Sequence, residues 1–211
     1  MSDLKVDGIT AATANTAVTI KGLGTGKVVL GDGNLVFPDA DGAAGTFITT
    51  NGSAALSFAT AGKVVQVVNV MNGAVATGTT QIPADDTIPQ KTEGDEYMTL
   101  AITPSNASNK LIIDVVASIG NNSANSSNTV ALFQDSTANA LAVSLNMETG
   151  AQFVKNIKFT HFMAAGTTSA TTFKVRAGSN QTATTTFNGR NSGRFFGGVF
   201  ASSITITEIS A

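Results

Sequence analysis

Ile157-Lys158-Phe159-Thr160-His161-Phe162-Met163 carries the pattern that decides the fold. Its odd-numbered positions are apolar apart from His161, and side chains two apart share one face of an extended chain. Ser203-Ile204-Thr205-Ile206-Thr207 has the same alternation, with both isoleucines on one face. Lys63-Val64-Val65-Gln66-Val67-Val68-Asn69-Val70-Met71 is β-branched and long enough for a full strand. Further strands are expected at Tyr97–Thr103, Lys110–Ile119, Thr129–Gln134, Ala140–Leu145, Phe153–Met163, Thr171–Arg176, Thr184–Asn188 and Phe195–Ile206. They recur roughly every 10–15 residues, between turn residues such as Asn121-Asn122-Ser123 and Ala177-Gly178-Ser179-Asn180. That spacing predicts an antiparallel sandwich or jelly roll over residues 63–211, built on Ile112, Val115, Leu132, Phe159 and Ile206 among others. Ile82 to Pro89 reads as a loop, because its two prolines forbid a central strand. No segment holds an i, i+3, i+4, i+7 apolar stripe over three turns, so almost no helix is expected.

Residues 1–62 read differently. Val18-Thr19-Ile20, Lys27–Leu30, Leu35-Val36-Phe37, Thr46–Thr49 and Leu56-Ser57-Phe58 are short strand candidates. Gly31-Asp32-Gly33 and Asn51-Gly52 supply the positive-φ positions of tight hairpins. A weak repeat at an offset of 21 residues aligns Gly24 with Gly45, Gly31 with Gly52, Leu35 with Leu56 and Phe37 with Phe58. Large apolar residues are too few here to close a core. The segment is therefore expected to need other copies, as an intertwined β stem. Ala59-Thr60-Ala61-Gly62 is small enough to be the joint.

Composition excludes several function classes. Of 211 residues only 12% are charged, against roughly 25% in ordinary soluble domains. Thr (30), Ser (17) and Asn (17) do the solvating instead. A net charge of −2 lacks the basic footprint of a nucleic-acid binder. Zero Cys and one His exclude a disulfide scaffold, thiolate metal sites and a histidine triad within one chain. No apolar run reaches the ~18 residues of a membrane-spanning helix, and Met1-Ser2-Asp3-Leu4-Lys5 opens no signal-peptide stretch.

The motifs that imitate chemistry fail on spacing. Lys21-Gly22-Leu23-Gly24-Thr25-Gly26-Lys27 lacks the leading glycine and the following Ser or Thr of a phosphate loop. Asp39-Ala40-Asp41-Gly42 is too short for a calcium loop, and Asp85, Asp86, Glu93, Asp95 and Glu96 read as solvated turns. Arg190 and Arg194 bracket Asn191-Ser192-Gly193 and read as a solvated turn or an interchain ion pair. His161 reads as a packed residue; in a trimer it would place three imidazoles near an axis, where they could bind an anion or a metal. No enzyme activity, cofactor or metal is expected.

Two stretches carry a resemblance. Leu4-Lys5-Val6-Asp7-Gly8-Ile9, with Gly31-Asp32-Gly33-Asn34-Leu35-Val36-Phe37-Pro38-Asp39-Ala40-Asp41-Gly42, resembles the starts of fibre-like structural proteins of tailed bacteriophages. Asp85 to Gln90, Thr92 to Met98, Ala131 to Ser136 and Gly197 to Ile206 resemble the C-terminal domain of the same group. The resemblance implies a homotrimeric virion appendage. It would end in a jelly roll of the tumour-necrosis-factor or complement-globular-head type.

The expectation is thus a phage virion structural protein, a tail fibre or spike. Residues 1–62 would be the stem and attachment to other virion proteins, and residues 63–211 the head. It would be assembled in the host cytoplasm, exposed on the particle and in contact with a host-surface glycan or protein, without nucleic acid or membrane insertion. The other reading is a capsid decoration or head-fibre protein. A polysaccharide depolymerase would need regular β-helix repeats and paired acids in an aromatic groove, which the sequence lacks. Receptor contact is expected on polar loops, at Asn121, Asn122, Ser123, Asn125 and Asn128, and at Ser179, Asn180 and Gln181.

Overall fold

Lys110–Asn121 forms the longest strand, and its first half alternates between interior and half-exposed side chains, as a period of two dictates. The computed structural model describes residues 29–30, 35–36, 42–43, 46–50, 56–60, 64–150 and 153–211. The chain divides into two compact units, Met1–Gly62 and Lys63–Ala211. The candidate strand at 18–20, the Lys21–Lys27 stretch and the Asp39/Asp41 pair lie outside the described residues.

In the first unit, β1 (Val29–Leu30) pairs antiparallel with β2 (Leu35–Val36), and β3 (Thr46–Thr50) with β4 (Leu56–Thr60). Leu35 and Leu56, equivalent in the 21-residue repeat, each open the second strand of a hairpin. Phe47 and Ile48 are exposed on β3.

The second unit holds β5 (Val64–Asn72), β6 (Ala76–Gly78), β7 (Asp95–Ile102), β8 (Lys110–Asn121), β9 (Ser126–Gln134) and β10 (Ala142–Glu148). Then come β11 (Val154–Ala164), β12 (Thr171–Ser179), β13 (Thr185–Phe187), β14 (Gly189–Arg190), β15 (Gly193–Arg194) and β16 (Ser202–Ile209). One sheet has the order β10-β9-β12-β7. The other runs β5-β16-β8, with β11 on the far edge of β8 and β13-β6 continuing beyond the end of β16. All pairings are antiparallel, and the two sheets form a sandwich. Its core joins Met98, Ile102, Val130, Leu132, Phe173 and Val175 of the first sheet to Leu111, Ile113, Val115, Ile204 and Ile206 of the second.

Register sorts the second sheet into rows. Val68, Ile206, Ile113 and His161 lie across the inner face, followed by Val70, Ile204, Val115 and Phe159. The outer face carries Val67, Thr207, Ile112 and Phe162 in one row and Met71, Ser203, Val116 and Lys158 in another. Between them Asn69 donates to Thr205 Oγ1 at 2.8 Å, and Thr160 donates to Asp114 at 2.6 Å.

Three expectations change. Ile112 is an outer-face residue, because β8 alternates from Leu111 and Ile113 inward. Phe159 is only partly buried against the core. The strand expected over Phe195–Ile206 begins at Ser202, since Phe196, Gly197 and Gly198 have φ of 47°, 65° and 99° and form a 3-10 turn. Positive φ interrupts an extended chain.

The proline loop is not a free excursion. Ile82 is fully buried against Ala131 and Phe133 on the outer face of the first sheet. Its N–H donates to the Ser179 carbonyl at 3.0 Å. Gly178 makes this closeness feasible, because a Cβ there would lie 2.5 Å from the Thr80 carbonyl oxygen and 3.1 Å from the Ile82 nitrogen. Both neighbours are backbone, so Gly178→Ala is expected to cost roughly 1–3 kcal/mol by overpacking. The urea midpoint of the full-length variant measures it, and an unshifted midpoint would show that the loop yields freely.

Candidate functional site

Asparagine and serine favour turns because their short side chains bond to nearby backbone. The β8–β9 turn is rich in them, the β12–β13 loop opens on Asn180, and antiparallel pairing of β9 with β12 brings the two together at one end of the sandwich. Asn180 Oδ1 accepts from the Ser127 N–H at 2.7 Å, and Gln181 donates its amide to the Asn125 carbonyl at 2.8 Å. Asn122 Oδ1 accepts from the Thr184 N–H at 2.8 Å. Gln81, from the loop that covers the first sheet, donates to Thr182 Oγ1 at 2.9 Å.

The eight residues expected to make contact divide by burial. Asn121, Asn128 and Ser179 are interior, and a receptor cannot reach their side chains. Asn121 donates to Asn128 Oδ1 at 2.9 Å and accepts from the Ser123 N–H and the Ser126 hydroxyl. Ser179 Oγ accepts from the Gln181 N–H at 3.2 Å. These three are the internal frame. Asn122, Asn125 and Gln181 are exposed, and Ser123 and Asn180 half-exposed. Asn125 takes φ 53°, which asparagine tolerates better than most residues, and the turn presents it to solvent. Thr182 is exposed beside them. The surface is uncharged, so it can offer amides and hydroxyls to a polar ligand.

His161 lies in the inner-face row with Ile113 and Ile206, on the opposite side of β11 from Phe162. Desolvation holds its pKa below the usual imidazole value, so it is neutral at pH 7. Among the described residues no three His, Asp or Glu side chains gather as a metal-ligand group.

The acidic residues act locally. Asp85 accepts from the N–H and hydroxyl of Thr87, and these bonds lower its pKa, the side-chain bond most. Asp95 accepts from Thr80 in the same way, and Glu93 accepts from the Gln90 N–H. Glu96 pairs with Arg176 at 3.5 Å and Lys174 at 3.6 Å. Arg190 and Arg194 are exposed, with no ion pair among the described residues.

Sequence reasoning missed a second exposed surface on this unit. Phe195, Phe196 and Phe200 pack at centroid distances of 5.9–6.2 Å, yet Phe196 is 75% exposed and Val199 is 86% exposed. The signal was Gly197-Gly198, which permits the positive-φ turn. The alternation of Ser203 to Thr207 masked it when extended backwards.

No family model matches this chain, and no curated protein matches it. Among solved structures it is similar to the infectious bursal disease virus Gx strain (10% identity, TM-score 0.37, covering 74% of this chain and 39% of that one). It is also similar to particles derived from infectious bursal virus (10% identity, TM-score 0.33, 74% and 38%). A third is the enzymatically active domain of tailspike protein 4 of bacteriophage CBA120 (12% identity, TM-score 0.24, 60% and 19%). The chain spans two fifths or less of those chains' lengths. Likeness of this size carries no functional argument.

Proposed function

We propose that this protein is a structural component of a bacteriophage virion: a homotrimer with a Met1–Gly62 stem that attaches to the particle and a Lys63–Ala211 jelly-roll head that contacts the host surface. The observation that carries it is the outer face of the β5-β16-β8-β11 sheet. That face holds Val67, Met71 (70% exposed) and Phe162 (59% exposed), with Ile112 and Val116 between them, opposite a filled core. The face is mixed, since Asn69, Thr205, Asp114 and Thr160 form a polar row between the two apolar ones, but its exposed Val67, Met71 and Phe162 favour association, and copies of the same chain supply a matching surface. The strand order supports the jelly roll. The connections β7–β8, β8–β9, β10–β11 and β11–β12 each cross between the sheets, and β9–β10 is a hairpin. The phage assignment rests on the sequence resemblance, and host contact on the uncharged loop cluster.

Light scattering after size exclusion is expected to give about three times the 21.4 kDa chain mass. A single-chain mass would sink the trimer. Gold-labelled antibody against Lys63–Ala211 is expected to mark the tail of the particle. Label spread over the shell would overturn the host-contact role in favour of capsid decoration.

A further inference from the structure

The aromatic turn and a hollow elsewhere on the same unit are complementary. The turn at Phe195–Phe200 projects Phe196 and Val199 into solvent. Its backbone is held rather than loose: the Gly198 carbonyl lies so close to Gly73 that a Cβ there would be 1.9 Å from its oxygen. Phe196 is a bulky residue at φ 47°, a costly conformation that persists only where the surroundings enforce it. Between Asn188 and Thr207 the only charged residues are Arg190 and Arg194, so the knob is apolar at its tip and basic at its base.

The hollow, of about 390 Å³, lies between the Asp85–Pro89 loop and β10. Ile88, Leu141 and Val143 are its apolar lining, and Asp85 and Asp86 supply its only charges. Ile88 and Val143 are exposed. Knob and hollow lie at opposite edges of the sandwich. β5, which ends beside the knob, contacts β7, while β10 contacts β11 at the other edge.

We infer that the Phe196/Val199 knob of one copy seats in the Ile88/Leu141/Val143 hollow of the next, with Arg190 and Arg194 facing Asp85 and Asp86. The occupant is a second copy because one chain carries both patches, alike in apolar character and opposite in charge. Two different patches in contact make a head-to-tail interface, which closes a ring if the rotation permits. An exposed aromatic entering an apolar pocket is the usual anchor of such a contact, and the ion pairs at its rim fix register more than affinity. The inference rests on the oligomeric reading above and adds which surfaces meet.

The cysteine-free sequence makes the test clean. Full-length Val199→Cys and Val143→Cys chains are co-expressed and oxidised, and the pair Phe196→Cys with Ile88→Cys is treated alike. A disulfide needs its two Cα atoms within about 7 Å, so only a seated knob reacts. The expected result is a two-chain band from each mixture and none from any variant alone. A band from Val199→Cys or Phe196→Cys alone would mean that knob meets knob and would overturn the inference. Absence of the mixed band in both pairs, with a three-chain mass by light scattering, overturns this contact while leaving the trimer standing. A single-chain mass removes both.

Discussion

Full-length protein carrying Phe173→Ala is expected to lose roughly 3–5 kcal/mol of stability, the range for emptying a buried phenylalanine site. Phe173 is fully buried on the inner face of β12, between Gln134 of β9 and Leu100 of β7 in the same row. Alanine there removes the ring's transfer energy and leaves a void that β strands on both sides cannot fill without breaking register. Phe159, partly buried on β11, is expected to cost less when replaced by alanine. Urea unfolding of both variants at one fixed protein concentration checks the ranking, because assembly makes the midpoint depend on concentration. A Phe159→Ala loss equal to or above that of Phe173→Ala would contradict the placement of the core.

The second large effect lies at Glu208. This carboxylate is buried, with no cationic partner among the described residues. Its Oε1 accepts from Asn109 Nδ2 at 2.6 Å, from the Ser105 hydroxyl at 2.8 Å and from the Ser105 N–H at 2.9 Å, while Gln66 donates to Oε2. Desolvation is the largest single influence and raises its pKa. The bonds from Gln66, Asn109 and Ser105 together outweigh it and bring the pKa down to about 2, from 4.5. A carboxylate with a depressed folded pKa adds stability that is present above the unfolded value and lost as pH falls through the folded one. Stability is therefore expected to fall between about pH 4.5 and pH 2, by roughly 1–3 kcal/mol once solvent screening near the end of the sandwich is allowed for. Glu208→Gln is expected to remove that slope. It also destabilises the protein at pH 7 by roughly 1–3 kcal/mol, because its carbonyl oxygen replaces only one carboxylate oxygen and its NH2 cannot accept from the donor facing the other. Urea midpoints at pH 7, 4 and 2.5 measure both. An unchanged acid slope in Glu208→Gln would assign the pH dependence to other carboxylates.

The strands were legible in the sequence because their signal is local. A period of two in Ile157 to Met163 and Ser203 to Thr207 survives whatever packs against it, and Asn, Ser and Gly between strands mark turns by their own backbone preferences. The β8–β9 turn was legible for the same reason, and so were the hairpins of the first unit, whereas Ala177, Gly178 and Ser179, read as turn residues, continue β12 because they pair with Val130, Thr129 and Asn128. Other features are decided by partners distant in the chain. Leu111-Ile112-Ile113 is apolar throughout, and only pairing with β11 and β16 settles that Ile112 faces out. Asn121, Asn122, Asn125 and Asn128 are alike in composition. Contact with β12 and β13 buries two of them and leaves two in solvent. Ile82 looked like a loop residue because prolines exclude strand pairing, yet a loop can bury one side chain on a sheet face without pairing. Glu208 shares the strand face of Ile204 and Ile206, and only the fold gathers its donors from Gln66, Ser105 and Asn109. Alternation along a chain is set by backbone geometry. Which face is inside, and which polar group finds a partner there, depends on contacts between residues as far apart as 142 positions, which no local pattern encodes.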